Sequence, residues 1–146
     1  MLHMVCMALE DIKIYSLILE MVAESDRVCG VTKSRRDFDL ADQLSRAALS
    51  VGNNFAEGYG RSATGERLML MFYAEGSVQE CKNCLRVAVS RNHISAQQAD
   101  AAIATFGRIS IGIIEFCASI LRDDPDYKGS YRERVNKRRA WRQQRR

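Results

Sequence analysis

The sequence is short of the residues on which most catalytic and metal chemistry depends. It has one proline and two histidines in 146 residues. With only His3 and His93, no Ser–His–Asp or Cys–His arrangement can be assembled. Cys81-Lys-Asn-Cys84 has no second Cys-x-x-Cys and no histidine at partner spacing, so a four-ligand zinc site is not expected. The pattern places this motif mid-helix, away from the helix N-terminus that activates a thioredoxin-type thiol. A bundle di-metal site built on Glu57 and Glu80 would want Glu-x-x-His pairs, and there are none. No Gly-x-x-x-x-Gly-Lys phosphate loop occurs either. These absences point to a non-catalytic protein with no metal and no cofactor.

Long hydrophobic runs are also missing. Ile103–Leu121 is the most apolar stretch, and Arg108 and Glu115 interrupt it before it reaches the roughly 18 residues of a membrane span. Leu2–Leu9 is short and lacks a basic flank or a small-residue cleavage site, so no signal peptide is expected. Met4 and Met7 stand beside Met1 as alternative starts. Five cysteines at irregular spacing, without an export signal, read as reduced thiols in a cytoplasmic protein.

What is present is helical periodicity. Apolar residues recur every three or four positions, and β-branched residues do not alternate with polar ones. A first stretch runs from about Ala8 to Cys29, with Ile12, Tyr15, Ile18/Leu19 and Val22 on one face and Gly30 as a cap. A second, from about Asp37 to Gly58, carries Leu40, Leu44, Ala47/Ala48, Val51 and Phe55, and Gly58-Tyr-Gly60 is expected to stop it. Ser62 or Thr64 opens a third, which continues to about Arg91 through Leu68, Met71, Val78 and Leu85. Ser95 and Gln98 form a capping box for a fourth, which ends near Arg122. Short connections favour antiparallel neighbours, hence an all-α, up-down-up-down four-helix bundle over residues 8–124, with Pro125 at its boundary. The fourth helix is apolar over roughly 220° of its circumference, more than one bundle face needs, which predicts burial against a second copy.

Charge divides the chain in two. Residues 126–146 hold nine Lys/Arg against Asp126 and Glu133, a net +7, while the rest carries −3; the overall +4 describes neither part. Lys128, Arg132, Arg134, Lys137, Arg138, Arg139, Arg142, Arg145 and Arg146 are candidate phosphate contacts, and Trp141 a candidate base-stacking residue. The segment 125–146 reads as a basic C-terminal tail, helical or disordered. Too few apolar residues accompany its charges for a membrane-surface helix.

A second polar set runs along the middle helices. Gln43, Arg46, Ser50, Asn54 and Glu57 step by three and four residues, forming one face, which Arg61, Ser77 and Glu80 extend. It reads either as a solvated face or as a hydrogen-bonded network at a helix or subunit contact. In the second case Arg46 and Arg61 donate and Glu57 and Glu80 accept. Gly76, in mid-helix at a cost of about 1 kcal/mol relative to Ala, suggests close packing against a neighbour.

These residues resemble the signature of the four-helix-bundle proteins encoded in 23S rRNA intervening sequences. The matching positions are Gln43, Leu44, Arg46, Ala47, Ser50, Asn54, Ala56, Glu57, Gly58, Arg61 and Ser62, then Ala74, Gly76, Ser77 and Glu80. The resemblance implies a cytoplasmic bundle assembled as a homopentameric barrel. It also implies kinship with the accessory variability proteins of diversity-generating retroelements, which bind nucleic acid and a reverse transcriptase. Val51 and Phe55 stand where that pattern has Ile, Glu75 adds an acid before Gly76, and residues 126–146 fall outside it. The expected function is therefore a homo-oligomeric accessory protein that binds RNA or DNA chiefly through its tail. The alternative is a structural or protein-interaction module with no direct nucleic-acid contact.

Overall fold

A computed structural model describes residues 7–145. After a single 3-10 turn at Leu9–Asp11, the chain forms α1 (Lys13–Ser34), α2 (Phe38–Gly60), α3 (Thr64–Ser90), α4 (Ala96–Asp123) and α5 (Tyr131–Gln143). Among the described residues there is no strand. α1 packs on α2, α2 on α3 and α3 on α4, and α4 returns to α1, so that these four close around one core. Leu44, Phe55, Leu68, Met71, Leu85, Phe106, Ile109 and Ile113 are among its fully enclosed side chains.

The periodic residues of α2 all face this core: Leu40, Leu44, Ala47, Ala48, Val51 and Phe55 are buried. At α1 the expected Ile12, Tyr15, Ile18 and Val22 pack on the core, and the fully enclosed face extends further round the helix. Ile18, Met21, Val28 and Cys29 are buried with Ser25 and Thr32, whereas Leu19 is exposed. Thr32 satisfies its own hydroxyl by donating to the Cys29 carbonyl at 3.0 Å, and so sits in the core without an orphaned donor. Phe55 and Phe116 meet at a centroid separation of 5.2 Å, joining α2 to α4.

The expected helix ends are corrected at three places. Gly30 lies inside α1, which continues to Ser34; the left-handed turn falls instead on Arg36, with φ 62°. Gly58 and Gly60 are helical and do not stop α2, and no described glycine has positive φ. Gly58 is required for closeness: a Cβ there would lie 3.0 Å from both Leu70 Cβ and Met71 Cε and 3.3 Å from the Arg67 carbonyl oxygen. Ala63 is the N-cap of α3, and neither Ser62 nor Thr64 caps it; Thr64 donates across the bundle to Asp124 Oδ2 at 2.6 Å. The capping box of α4 forms as the sequence indicates. Ser95 Oγ accepts from the Gln98 amide at 3.1 Å, and Gln98 Oε1 accepts from the Ser95 amide at 2.9 Å.

The chain past Pro125 does not leave the folded body. It turns through 124–130 and lays α5 along α4 and the edge of α3. Val135 is fully buried there, and Tyr127 and Tyr131 pack against the core. The surplus apolar arc of α4 is thus covered within the chain. Ile114, Cys117, Ala118 and Leu121 are buried, and Ile111 is the large apolar side chain of α4 left exposed. No second copy is needed to cover this helix. By length and mean hydropathy (1.5) α4 also reaches the range of a membrane span. In this fold its apolar arc faces α1, α3 and α5.

At one end of the bundle the α1–α2 and α3–α4 connections meet. Asp37 caps α2 by accepting from the Leu40 amide, and it accepts from Arg91 Nη1 at 3.0 Å and pairs with His93 Nε2 at 2.7 Å. The His93 hydrogen bond, followed by that of Arg91, holds the Asp37 carboxyl below the usual carboxylate range. A carboxyl with a lower pKa folded than unfolded stabilises the fold above its unfolded pKa of about 3.9, and that contribution disappears as pH falls through the folded value. Asp37→Asn should therefore lower the urea midpoint at neutral pH, and the gap from the native chain should close as the pH is taken below about 4. Paired unfolding curves from pH 7 to 3 measure it.

Candidate nucleic-acid interface

A helix of 13 residues with this much charge is marginal alone in water, so α5 owes its structure to what it docks on. Burying Val135 contributes about 1.5–3 kcal/mol. Around it the ring of Tyr131 stacks on Phe72 of α3 at 5.5 Å, and the Arg134 guanidinium lies 4.4 Å from the Phe72 centroid.

Most of the expected phosphate-binding arginines are engaged within the chain. Arg132 donates to the carbonyls of Tyr127 and Asp124 at 2.9 Å and of Pro125 at 3.1 Å, closing the C-terminus of α4. Arg138 pairs with Glu75, whose side chain keeps 8% of its exposure. Glu75 Oε1 also accepts from Gln79 Nε2 at 2.9 Å, and Gln79 reaches Ser110 Oγ on α4 at 3.2 Å. Arg139 and Arg142 share one carboxylate, Glu115 of α4, at 3.3 and 3.1 Å. Arg132, Arg138, Arg139 and Arg142 therefore hold α5 in place, a role that charge alone did not reveal.

The remaining expected residues lie outward. Arg134, Lys137, Trp141 and Arg145 recur at helical spacing and form one exposed stripe. Lys137 pairs with Glu133 at 2.7 Å, but both are largely in solvent and such a pair contributes little. Arg145 stacks on Trp141, with its guanidinium carbon 4.5 Å from the ring centroid. Lys128 is exposed in the turn before α5. Arg146 and His3 lie outside the described residues.

The polar face on α2 and α3 is assembled in part. Ser50 and Ser77 hydroxyls join the two helices at 2.8 Å, and Asn54 Nδ2 donates to the Ser50 carbonyl at 2.8 Å and its hydroxyl at 3.0 Å. Arg61 pairs with Glu57 at 2.5 Å, as the spacing suggests. Arg46 pairs instead with Asp42, at 2.8 Å, and touches Gln43 at 3.4 Å. Glu80 accepts no side-chain hydrogen bond from the described residues. Beside this set Leu49 and Tyr73 are exposed, and Gly76 has nothing within 4 Å of where its Cβ would be. Among the described residues, the close packing that Gly76 suggests is not seen.

Cys81 and Cys84 are buried within α3. Burial pushes the Cys81 thiol up to about 12 and raises that of Cys84, so both are protonated at neutral pH. Sequence reasoning missed Lys82 between them. It lines, with Trp141, a groove beside α5, and a lone lysine between two cysteines carries no local signal of that position.

These elements define an all-helical bundle with an added basic helix. Residues 10–114 match the model of the 23S rRNA-intervening sequence protein family, and the chain belongs to that family. α5 lies beyond the matched residues. Among solved structures, one from Bacteroides thetaiotaomicron, described as a protein of unknown function from the S23 ribosomal protein family, superposes with a TM-score of 0.67. It is 15% identical, and the match covers 71% of this chain and 97% of that one, which establishes likeness of fold. No curated protein matches.

The Glu75–Arg138 pair gives a direct test of docking. Arg138→Gln leaves a nearly buried carboxylate without its cation and should cost about 1–3 kcal/mol. Adding Glu75→Gln should restore part of that loss, giving a coupling energy of about 0.5 kcal/mol or more in a double-mutant cycle. Urea unfolding of the four proteins measures it.

Proposed function

We propose that this protein is a non-catalytic, cytoplasmic, homo-oligomeric bundle that binds nucleic acid, foremost RNA alone or in complex with a protein such as a reverse transcriptase. The observation that carries this reading is the exposed stripe of Arg134, Lys137, Trp141 and Arg145 on α5, with Lys128 nearby. Cations at helical spacing track a phosphate backbone, and an interleaved aromatic ring adds a stacking surface. In this reading the four bundle helices run up-down-up-down and the subunits form a pentameric barrel, as the family resemblance suggests. The α2–α3 face is the contact between copies: an exposed Leu49 and Tyr73 flank a mid-helix glycine whose Cβ position has no described neighbour within 4 Å. Five outward α5 helices on one assembly would bind an extended anion multivalently.

Removing the segment after Asp124 would be a poor test, because Val135 and Tyr131 would leave the core with it. Point substitutions separate charge from packing. Lys128→Gln, Lys137→Gln and Arg145→Gln together should lower the slope of log affinity against log salt by about 2–3. Anisotropy of a labelled structured RNA reads it. An unchanged slope would favour the second reading, a protein-interaction module, which the intramolecular pairing of Arg138, Arg139 and Arg142 supports. For assembly, Gly76→Leu starts from a Cβ position with no described neighbour within 4 Å and should reduce the mass found by light scattering while leaving helicity intact. A native monomer, or an unchanged mass in the variant, would overturn that contact.

A further inference from the structure

Where α5 crosses α3 and α4 it leaves an open groove of about 590 Å³. Sites for small molecules occupy about 300–1,000 Å³, so this is room enough for a single nucleotide unit. The groove combines three chemistries. One is an aromatic and apolar surface: Trp141 is 57% exposed even with the Arg145 guanidinium over its ring, and Ile111 of α4, 43% exposed, lines the same space. Another is positive charge: Lys82 on α3 and Lys137 on α5 line the groove, and Arg139 and Arg142 add two guanidiniums against the single Glu115 carboxylate. The last is a polar wall: Gln79 and Ser110 are hydrogen-bonded to one another, with amide and hydroxyl groups at the groove surface. The carboxylate beside them, Glu75, is already taken by Arg138 and Gln79 and does not repel an anion there.

We infer that this groove binds one unpaired nucleotide of a single strand, with the base stacked on Trp141 and a flanking phosphate held by Lys82 and Lys137. The inference rests on the nucleic-acid reading above and narrows it from a general polyanion to single-stranded nucleic acid. A duplex satisfies the phosphate part of the groove but not the aromatic part. Its bases present their faces to one another, so the indole has nothing to stack on. The exposed indole and the charges serve together only when a base is turned out. Lys82 strengthens the assignment, because it stands on a different helix from the α5 stripe and widens the cationic surface into a two-sided clamp.

Trp141 is the sole tryptophan, so intrinsic fluorescence reports on the groove directly. The full chain is titrated with a mixed-sequence single-stranded RNA of about 12 nucleotides, with the same strand annealed to its complement, and with a nucleoside monophosphate. Labelled-strand anisotropy is followed in parallel. The expected result is quenching of Trp141 by the single strand, with affinity at least about tenfold above that for the duplex. Trp141→Ala should lose about tenfold for the strand and less than about twofold for the duplex, Trp141→Phe should keep most of it, and Lys82→Gln should weaken the strand selectively. Salt-sensitive binding of strand and duplex alike, with no change in Trp141 emission, would overturn the groove and leave the broader proposal standing. Equal affinity for the monophosphate would also overturn it, since the site would then take a free nucleotide. No binding of either nucleic acid at low salt would remove the broader proposal and the groove with it.

Discussion

The structure depends on covering α4. Its apolar residues spread over more of the helix than α1 and α3 can bury, and water against the remainder would be costly. The chain supplies the cover itself. α5 is drawn across α4 by Val135 and Tyr131, fixed at one end by Arg132 on carbonyls of the turn that follows α4 and along its length by Glu75 and Glu115. Once α5 lies there, the groove beside it, the outward basic stripe and the exposed indole all follow from its orientation.

The electrostatics of the C-terminal segment are accordingly local. A net +7 suggests a loose cationic arm, yet the charges have different tasks according to their place on one short helix. Those at the angle of Val135 find carbonyls and carboxylates of the bundle, and those opposite remain in solvent. The α4 acid Glu115, which interrupts an otherwise apolar run, is the counter-charge for two of them. The body's acidity and the segment's basicity are, in part, the two sides of one contact.

The helices and most of the core were legible in the sequence, because 3.6-residue periodicity and a capping box are local signals. Phe55, Leu68 and Leu85 fall where their spacing puts them. The ends of α1 and α2 were not, because local glycine preferences were outweighed by tertiary packing. Gly58 is there to let α3 approach, while the left-handed positions went to Arg36 and Asn92. The candidate site was half legible. Composition identifies a basic segment with an aromatic, but which arginines face inward depends on where carboxylates lie dozens of residues away. Arg138 and Glu75 are 63 positions apart, and no local pattern links them.

Glu75 and the segment carrying α5, which lies beyond the residues that match the family model, meet in one ion pair. Such a pair is easily kept and hard to dismantle in single steps. Loss of the arginine strands an acid in a desolvated place, and loss of the helix uncovers α4 as well. The acid and the helix are therefore energetically coupled in this chain, and a change at either alters the surroundings of the other.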